Sequence, residues 1–387
     1  MGEYFGGILG DAVGVKAGER WKIMRKYFDP EFAFQPSRQA IPKFAASISR
    51  WVGTLPAEAK SPQPGSFIVD VKKPCRFLPF QLVAQHLYGD VFSDELYSTL
   101  LEINTLHEVV LHDVIINKRV TTKLGNWMDT AARKRMREYN QKWESFNVDI
   151  INHARKNNLA CPLERIYQGV DQAKEMTKTE FLHTLDEILF ANVDVSSAVL
   201  NTIFTKLAAD PAFQSALRAE IAAQKAQEQY NVVKYLAKQD SLLNFLMMES
   251  MRLSPAFWFS LPECTAVPKT IGGYHVPANT PVVIDVRRLN TDPVTWGADG
   301  HAFRPERFRE MPPSKCRYGF MRFGAGGASG RCLGKNIADV VFKLATLAVV
   351  ERYALSTPGG CDGSSEVEFT PVRPVLGLVG FVCSSLV

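Results

Sequence analysis

The chain has 387 residues, 46% hydrophobic and 11% aromatic, with a formal net charge of +5. That is enough apolar material for a substantial core, and so mild a charge gives no ground for a nucleic-acid partner. Seven cysteines without a CxxC pair read as reduced thiols facing the cytosol, and the seven histidines offer no zinc-ligand spacing. The reading expects no apolar run of about 18–20 residues able to span a bilayer, and no signal peptide. Near the front, Trp21 and Arg25 stand one helical turn apart. An indole N–H and a guanidinium so spaced suit a carboxylate, although a packed amphipathic helix is the default for that spacing. Arg20, Lys22 and Lys26 flank the pair. Residues 104–178 carry helical runs. In one of them, Leu124–Phe146, the residues Trp127, Met128 and Trp143 read first as core or interhelical packing.

Thr179–Leu207 reads as one long apolar helix containing Asn192, Asp194 and Ser196. Polar residues in an apolar helix mark a cavity or a function; an i,i+4 or capping role is the plainer alternative for Asp194. Leu242–Leu253 is helical by pattern and Pro255 ends it. Glu249 and Arg252 share one face of that helix. Their neighbours Leu246, Met248 and Leu253 argue for burial, and a buried ion pair must be closed by further hydrogen bonds. Ile271–Asp285 alternates as two short strands around a turn. Phe320–Gly334 is the most informative stretch. Glycines 324, 326, 327 and 330 let its backbone approach a flat ligand closely. Cys332 follows them and precedes the apolar, helix-forming run Ala338–Val350. A helix N-terminus there is expected to lower the thiol pKa and hold a thiolate. A lone thiolate so presented suits the axial position of a haem iron; a buried, inert cysteine behind a glycine turn is the alternative.

The Cys332 loop resembles the cysteine-ligand loop of the cytochrome P-450 superfamily, Phe-x-x-Gly-x-x-x-Cys-x-Gly. Phe323, Cys332 and Gly334 take the Phe, Cys and last Gly places. Phe323 and Cys332 stand nine positions apart where the family has seven, which reads as a two-residue insertion. Arg331 directly precedes the cysteine, as in many fungal members. The resemblance implies a mainly α fold, a helical bundle around haem with small β-sheets. It implies a single haem-binding catalytic domain over 1–387, front-truncated, lacking the N-terminal anchor and first strands. It implies haem b with Cys332 as the axial ligand, and Trp21 and Arg25 at the propionates. Phe323 would shield the thiolate, with Gly324, Arg331 and Gly334 in the haem-binding loop. It adds Arg307, in the segment Phe303–Phe308, as third member of a structural triad with Glu249 and Arg252.

By the same resemblance Thr179–Leu207 is the helix that crosses the distal face of the haem. The family pattern there is Ala/Gly-Gly-x-Asp/Glu-Thr-Thr/Ser, and this chain reads Ala191–Ser196. Asp194 keeps the acid, Asn192 replaces the glycine and Val195 replaces the threonine. Ser196 lies about 100° further round and could supply the missing hydroxyl only if the helix is locally unwound. Asp194 and Ser196 are therefore the expected organisers of distal protons. Residues 104–178 resemble the lid over the substrate entrance, and Leu207–Ile221 the helix that follows the distal one. Ile271–Asp285 corresponds to a small sheet that lines the substrate pocket. The implied activity is a monooxygenase acting on an apolar substrate, a fungal secondary metabolite. Its electrons would come from NADPH through a separate cytochrome P-450 reductase. The basic residues near Trp21, with Lys315, Arg317, Arg322, Arg331 and Lys335 around the cysteine loop, would face that partner. The family location is the cytoplasmic face of the endoplasmic reticulum; without an anchor the chain as given would be cytosolic or peripheral. A haem-dependent rearrangement or peroxide-driven oxidation, and a non-catalytic haem-binding remnant, stand as alternatives.

Overall fold

The computed structural model describes residues 5–63, 65–116, 130–190, 192–260, 262–324, 331–360 and 365–372. Helices dominate, and the order of the long ones follows the apolar periodicity of the sequence. Gly18–Phe28 comes first, then Ile41–Thr54, Lys72–Tyr88, Asp94–Ile116, Ala131–Asn157, Pro162–Asp171, Lys178–Leu189, Val193–Ala209, Pro211–Lys225, Leu242–Leu253 and Lys335–Arg352. The last of these is the axle of the core. Ile337, Val340, Val341, Phe342, Leu344, Ala345, Leu347, Val349 and Val350 are all buried, so it is apolar on every side. It packs against Ile41–Thr54, Val193–Ala209 and Leu242–Leu253.

Two antiparallel sheets complete the fold. The larger has strand order β1 (Ser61–Gln63), β2 (Ser66–Asp70), β6 (Glu366–Pro371), β5 (Tyr353–Ser356). Phe67 pairs across to Phe369, and Leu355 to the other side of Phe369. The stacked rings of Phe67 and Phe369, 5.4 Å apart, seal that sheet onto the helices. The smaller is a hairpin of β3 (Lys269–Ile271) and β4 (Tyr274–Val276) around Gly272 and Gly273. The expected pair of strands over 271–285 is thus shifted toward the N-terminus. Residues beyond it contribute only the bridges Phe259–Asp285 and Glu263–Val282. Both hairpin strands are mostly exposed.

Two expectations about the long apolar helix need correction. Among the described residues it is two helices, Lys178–Leu189, capped by Phe190, and Val193–Ala209, capped by Asn192. The run 178–209 also meets the length and composition of a bilayer span, against the expectation that no such run exists. Its side chains are core: Phe181, Leu185, Leu189, Leu200, Ile203, Phe204 and Leu207 are almost wholly buried. In the lid-like region, Trp143 is buried and its indole N–H donates to the Leu182 carbonyl at 3.1 Å. Trp127 and Met128 lie outside the described residues.

Candidate active site

Three elements meet at Cys332: the Gly18–Phe28 helix, the segment after the glycine loop, and the start of Lys335–Arg352. Gly324 has φ of +85°, a left-handed turn that a Cβ would strain. Beyond it the backbone closes on itself, with the Cys332 N–H donating to the Phe323 carbonyl at 2.9 Å. Glycines 326, 327 and 330 lie outside the described residues. Arg25 ties the segment to the first helix. Its Nη1 donates to the Arg331 carbonyl at 3.0 Å and its Nε to the Asp29 carboxylate, while the guanidinium lies 5.1 Å from the Trp21 ring centroid. Trp21 itself is buried. Phe323 is half-buried against the core, with the Arg322 guanidinium 5.5 Å from its ring.

Cys332 is reachable by solvent yet hemmed in by protein. Burial pushes its thiol up from the ordinary value. The Gly334 N–H, the Arg25 guanidinium and the Lys335 N–H all pull the other way, and Glu187 adds to the rise. The expected lowering by a helix N-terminus is therefore outweighed: the helix begins only at Lys335, and the sulfur sits two residues before its cap, Gly334. The donor set nonetheless fits a haem. A single sulfur suits an iron that arrives with its other ligands in a macrocycle, and two N–H groups and a cation aimed at it favour thiolate once a metal is bound.

Beneath the loop lies a closed ionic knot. Arg252 grips Glu249 in two bonds, Nε to Oε2 at 2.7 Å and Nη2 to Oε1 at 2.8 Å. Arg307 Nε and the Arg304 N–H reach the same Oε1 at 3.0 and 2.8 Å. Glu249, Arg252 and Arg307 are all fully buried. The spare guanidinium hydrogens go to carbonyls of Asn290, Gly300 and Ala302. Asn290 passes the constraint upward, exchanging two side-chain bonds with Met321 at 3.0 and 2.8 Å. Met321 stands two residues before Phe323, so the knot fixes the floor of the cysteine segment.

The structure does not bring Asp194 and Ser196 onto one task. Asp194 is exposed in the first turn of Val193–Ala209 and pairs with Arg76 at 3.1 Å. Arg76 also holds Glu108 at 2.9 Å. Ser196 is buried and donates to Asn192 Oδ1 at 3.0 Å, just past the break in the helix. Many of the basic side chains around Trp21 are partnered as well. Arg20 holds Glu180, Lys26 holds Glu175 at 2.7 Å and Lys22 holds Glu19 at 3.1 Å.

The sequence reading missed Glu187, the carboxyl whose field reaches both Cys332 and Arg25. The signal was present, since Asp186 and Glu187 interrupt the same apolar run as Asp194. It also missed Thr177 and Glu180, a reciprocal N-terminal cap of Lys178–Leu189 visible as T-x-x-E.

The family model described as Cytochrome P450 matches residues 4–374. The chain is similar to the cytochrome P450 monooxygenase apdB of Emericella nidulans, at 58% identity over 90% of this chain and 73% of that protein. It is 48% identical to the cytochrome P450 monooxygenase opdB of Penicillium oxalicum, over 92% of this chain and 71% of the relative. A crystal structure of a cytochrome P450 superposes with a TM-score of 0.73 at 16% identity, covering 95% of this chain and 86% of that one. That last likeness is one of fold, and the three together settle the affiliation: this chain belongs to the cytochrome P450 family, oxygenase enzymes that hold a haem through a cysteine thiolate.

Proposed function

We propose that the chain inserts one oxygen atom of O2 into an apolar fungal secondary metabolite, with haem b held by Cys332 and electrons arriving from NADPH through a separate reductase. The observation that carries this reading is the setting of Cys332: its backbone N–H is tied to the Phe323 carbonyl, a helix starts three residues on, and Arg25 is bonded to the carbonyl of the residue before it. When bound, the haem supplies the activation of dioxygen that no protein side chain can. The chain's own residues do the rest. Trp21 and Arg25 would hold the propionates, and Phe323 would shield the sulfur. Gly324, Arg331 and Gly334 shape the backbone around it.

On the far side, Asn192 and Ser196 would substitute for the usual threonine. Asn192, the N-cap of Val193–Ala209, accepts the Ser196 hydroxyl on its Oδ1, and this pair holds a proton at Ser196 Oγ. Asp194, exposed and paired with Arg76, would act on distal protons only through solvent. A location on the cytoplasmic side of a membrane follows the family habit; many apolar side chains of the run 178–209 are spent on the core.

The test is spectroscopic. The reduced, carbon-monoxide-bound protein is expected to show the strongly red-shifted Soret band of a thiolate-ligated haem, and Cys332→Ser is expected to abolish it. An unchanged band in that variant would assign the ligand elsewhere.

A further inference from the structure

The opening loop is fastened to one helix by three hooks of different chemistry. Its Asp11 N–H donates to His183 Nδ1 and its Val13 N–H to Thr184 Oγ1, each at 3.1 Å, and its Gly14 N–H donates to Glu187 Oε2 at 3.0 Å. All three acceptors stand on Lys178–Leu189. Glu187 Oε1 lies against the bare Cα of Gly14, where a Cβ would collide with it. From the other side, Asn140 of Ala131–Asn157 donates to the Gly7 carbonyl at 3.3 Å. The seated loop buries Ile8, Leu9, Ala12 and Val13. At Gly18 it runs into the helix that carries Trp21 and Arg25.

The hooks answer acid differently. The Thr184 hydroxyl is indifferent to it. The Glu187 carboxyl keeps an acceptor oxygen in either protonation state. Burial pushes its pKa up and Asp186 adds to the rise, with the Gly14 bond and Arg25 opposing. Acid therefore relieves a buried charge there and favours the seated loop. His183 responds in the reverse sense. A ring nitrogen accepts only while it carries no proton, and in the imidazolium both nitrogens are donors. The Asp11 N–H would then face a second N–H. His183 is buried. Burial pushes its pKa down and Lys16 adds to the fall, with Asp186, Asp11 and the Gly7 backbone opposing. Of these charges, Lys16 is paired with Asp11. Asp186 is turned to His107 of Asp94–Ile116, at 3.1 Å, and to the Tyr139 hydroxyl of Ala131–Asn157.

We propose that His183 is an acid-sensitive latch: its bare Nδ1 holds the opening loop on Lys178–Leu189, and a proton on that nitrogen lets the loop go. A histidine whose pKa is lowered while the loop is seated contributes to seating in full above its ordinary value of 6.5. That contribution is lost as pH falls through the lowered value. What is released is the stretch of chain that feeds the Trp21 helix, while the hooks at Thr184 and Glu187 remain to bring it back. The latch is independent of the haem reading of Cys332.

The test is hydrogen exchange on the full chain, read by mass spectrometry at about pH 7.5 and about pH 5, either side of the imidazole range. Each rate is divided by the intrinsic rate at its own pH. In the wild type, protection of the peptide spanning residues 8–16 is expected to fall about tenfold at the lower pH, the size of one hydrogen bond lost. His183→Asn places a carbonyl oxygen near the Nδ1 position and cannot titrate, so its protection is expected to stay level. If that variant does not fold, His183→Gln, which also carries a carbonyl, is read in the same way. Glu187→Gln removes the other titrating hook and is expected to keep the wild-type fall. Peptides of Lys335–Arg352 report global opening and are expected to stay protected. The latch is overturned by level protection in the wild type or in Glu187→Gln. A full fall in the variant lacking the imidazole, or an equal fall in Lys335–Arg352, overturns it too.

Discussion

Glu249 accepts four hydrogen bonds from three residues while wholly excluded from water. An ion pair so placed contributes little net stability as a unit, but removing one partner strands the other. Arg252→Met leaves the carboxylate with only Arg307 and the Arg304 N–H and releases the carbonyls of Asn290 and Gly300. The expected loss is about 3–5 kcal/mol, measured by urea unfolding; a loss well under 1 kcal/mol would show that the knot is dispensable. At this scale the sequence was legible where spacing within one helix decides the contact. Glu249 and Arg252 could be read as partners, whereas the Asn290 to Met321 link could not, because it joins residues that only the fold brings together. Asp194 illustrates the opposite failure. Its position in the first turn of a helix suits an acid on its own account, and the pairing with Arg76 depends on a neighbouring helix that spacing along the chain cannot place.

At the scale of elements, the attachment of the Gly18–Phe28 helix hangs on Glu180. This carboxyl caps its own helix through Thr177 and also receives the Arg20 guanidinium. Burial raises its pKa, but the Arg20 pair and the Thr177 bonds win and hold it down to about 2. A carboxyl depressed on folding contributes stability that is whole above its unfolded pKa, near 4.5, and is lost as pH falls toward 2. The stability gap between wild type and Arg20→Met is therefore expected to be full at neutral pH and much reduced by about pH 3. Urea midpoints at the two pH values check this, and a constant gap would assign the effect to packing. The break between Lys178–Leu189 and Val193–Ala209 was the feature of this scale least open to sequence reasoning. Neither proline nor glycine marks it, and 178–209 keeps an apolar periodicity straight through. What accompanies it is local: Asn192, the cap of the second helix, accepts both the N–H and the hydroxyl of Ser196.

Over the whole molecule, the helical core and its order followed from apolar periodicity, but the exposed edge did not. Phe257, Trp258 and Phe259 are each about 60% exposed, and they lie beside Val282, Val283 and Ile284, also exposed. The Ser260 N–H donates to the Ile284 carbonyl, so the two stretches form one surface. A contiguous apolar patch on an outer face drives association. The wild type is expected to gain mass with concentration in sedimentation velocity, and the double substitution Trp258→Lys, Val283→Lys to suppress it. Identical profiles would leave the patch inert.

The fastening of the opening loop has a further consequence, one of phase. Three amides, of Asp11, Val13 and Gly14, are read by side chains at 183, 184 and 187 on a single helix. The loop can therefore seat in one setting only. Inserting a single residue between Thr184 and Glu187 would swing the last hook about 100° around the axis. The first two catches would stay closed, and the wall beside Gly14 would come away on its own.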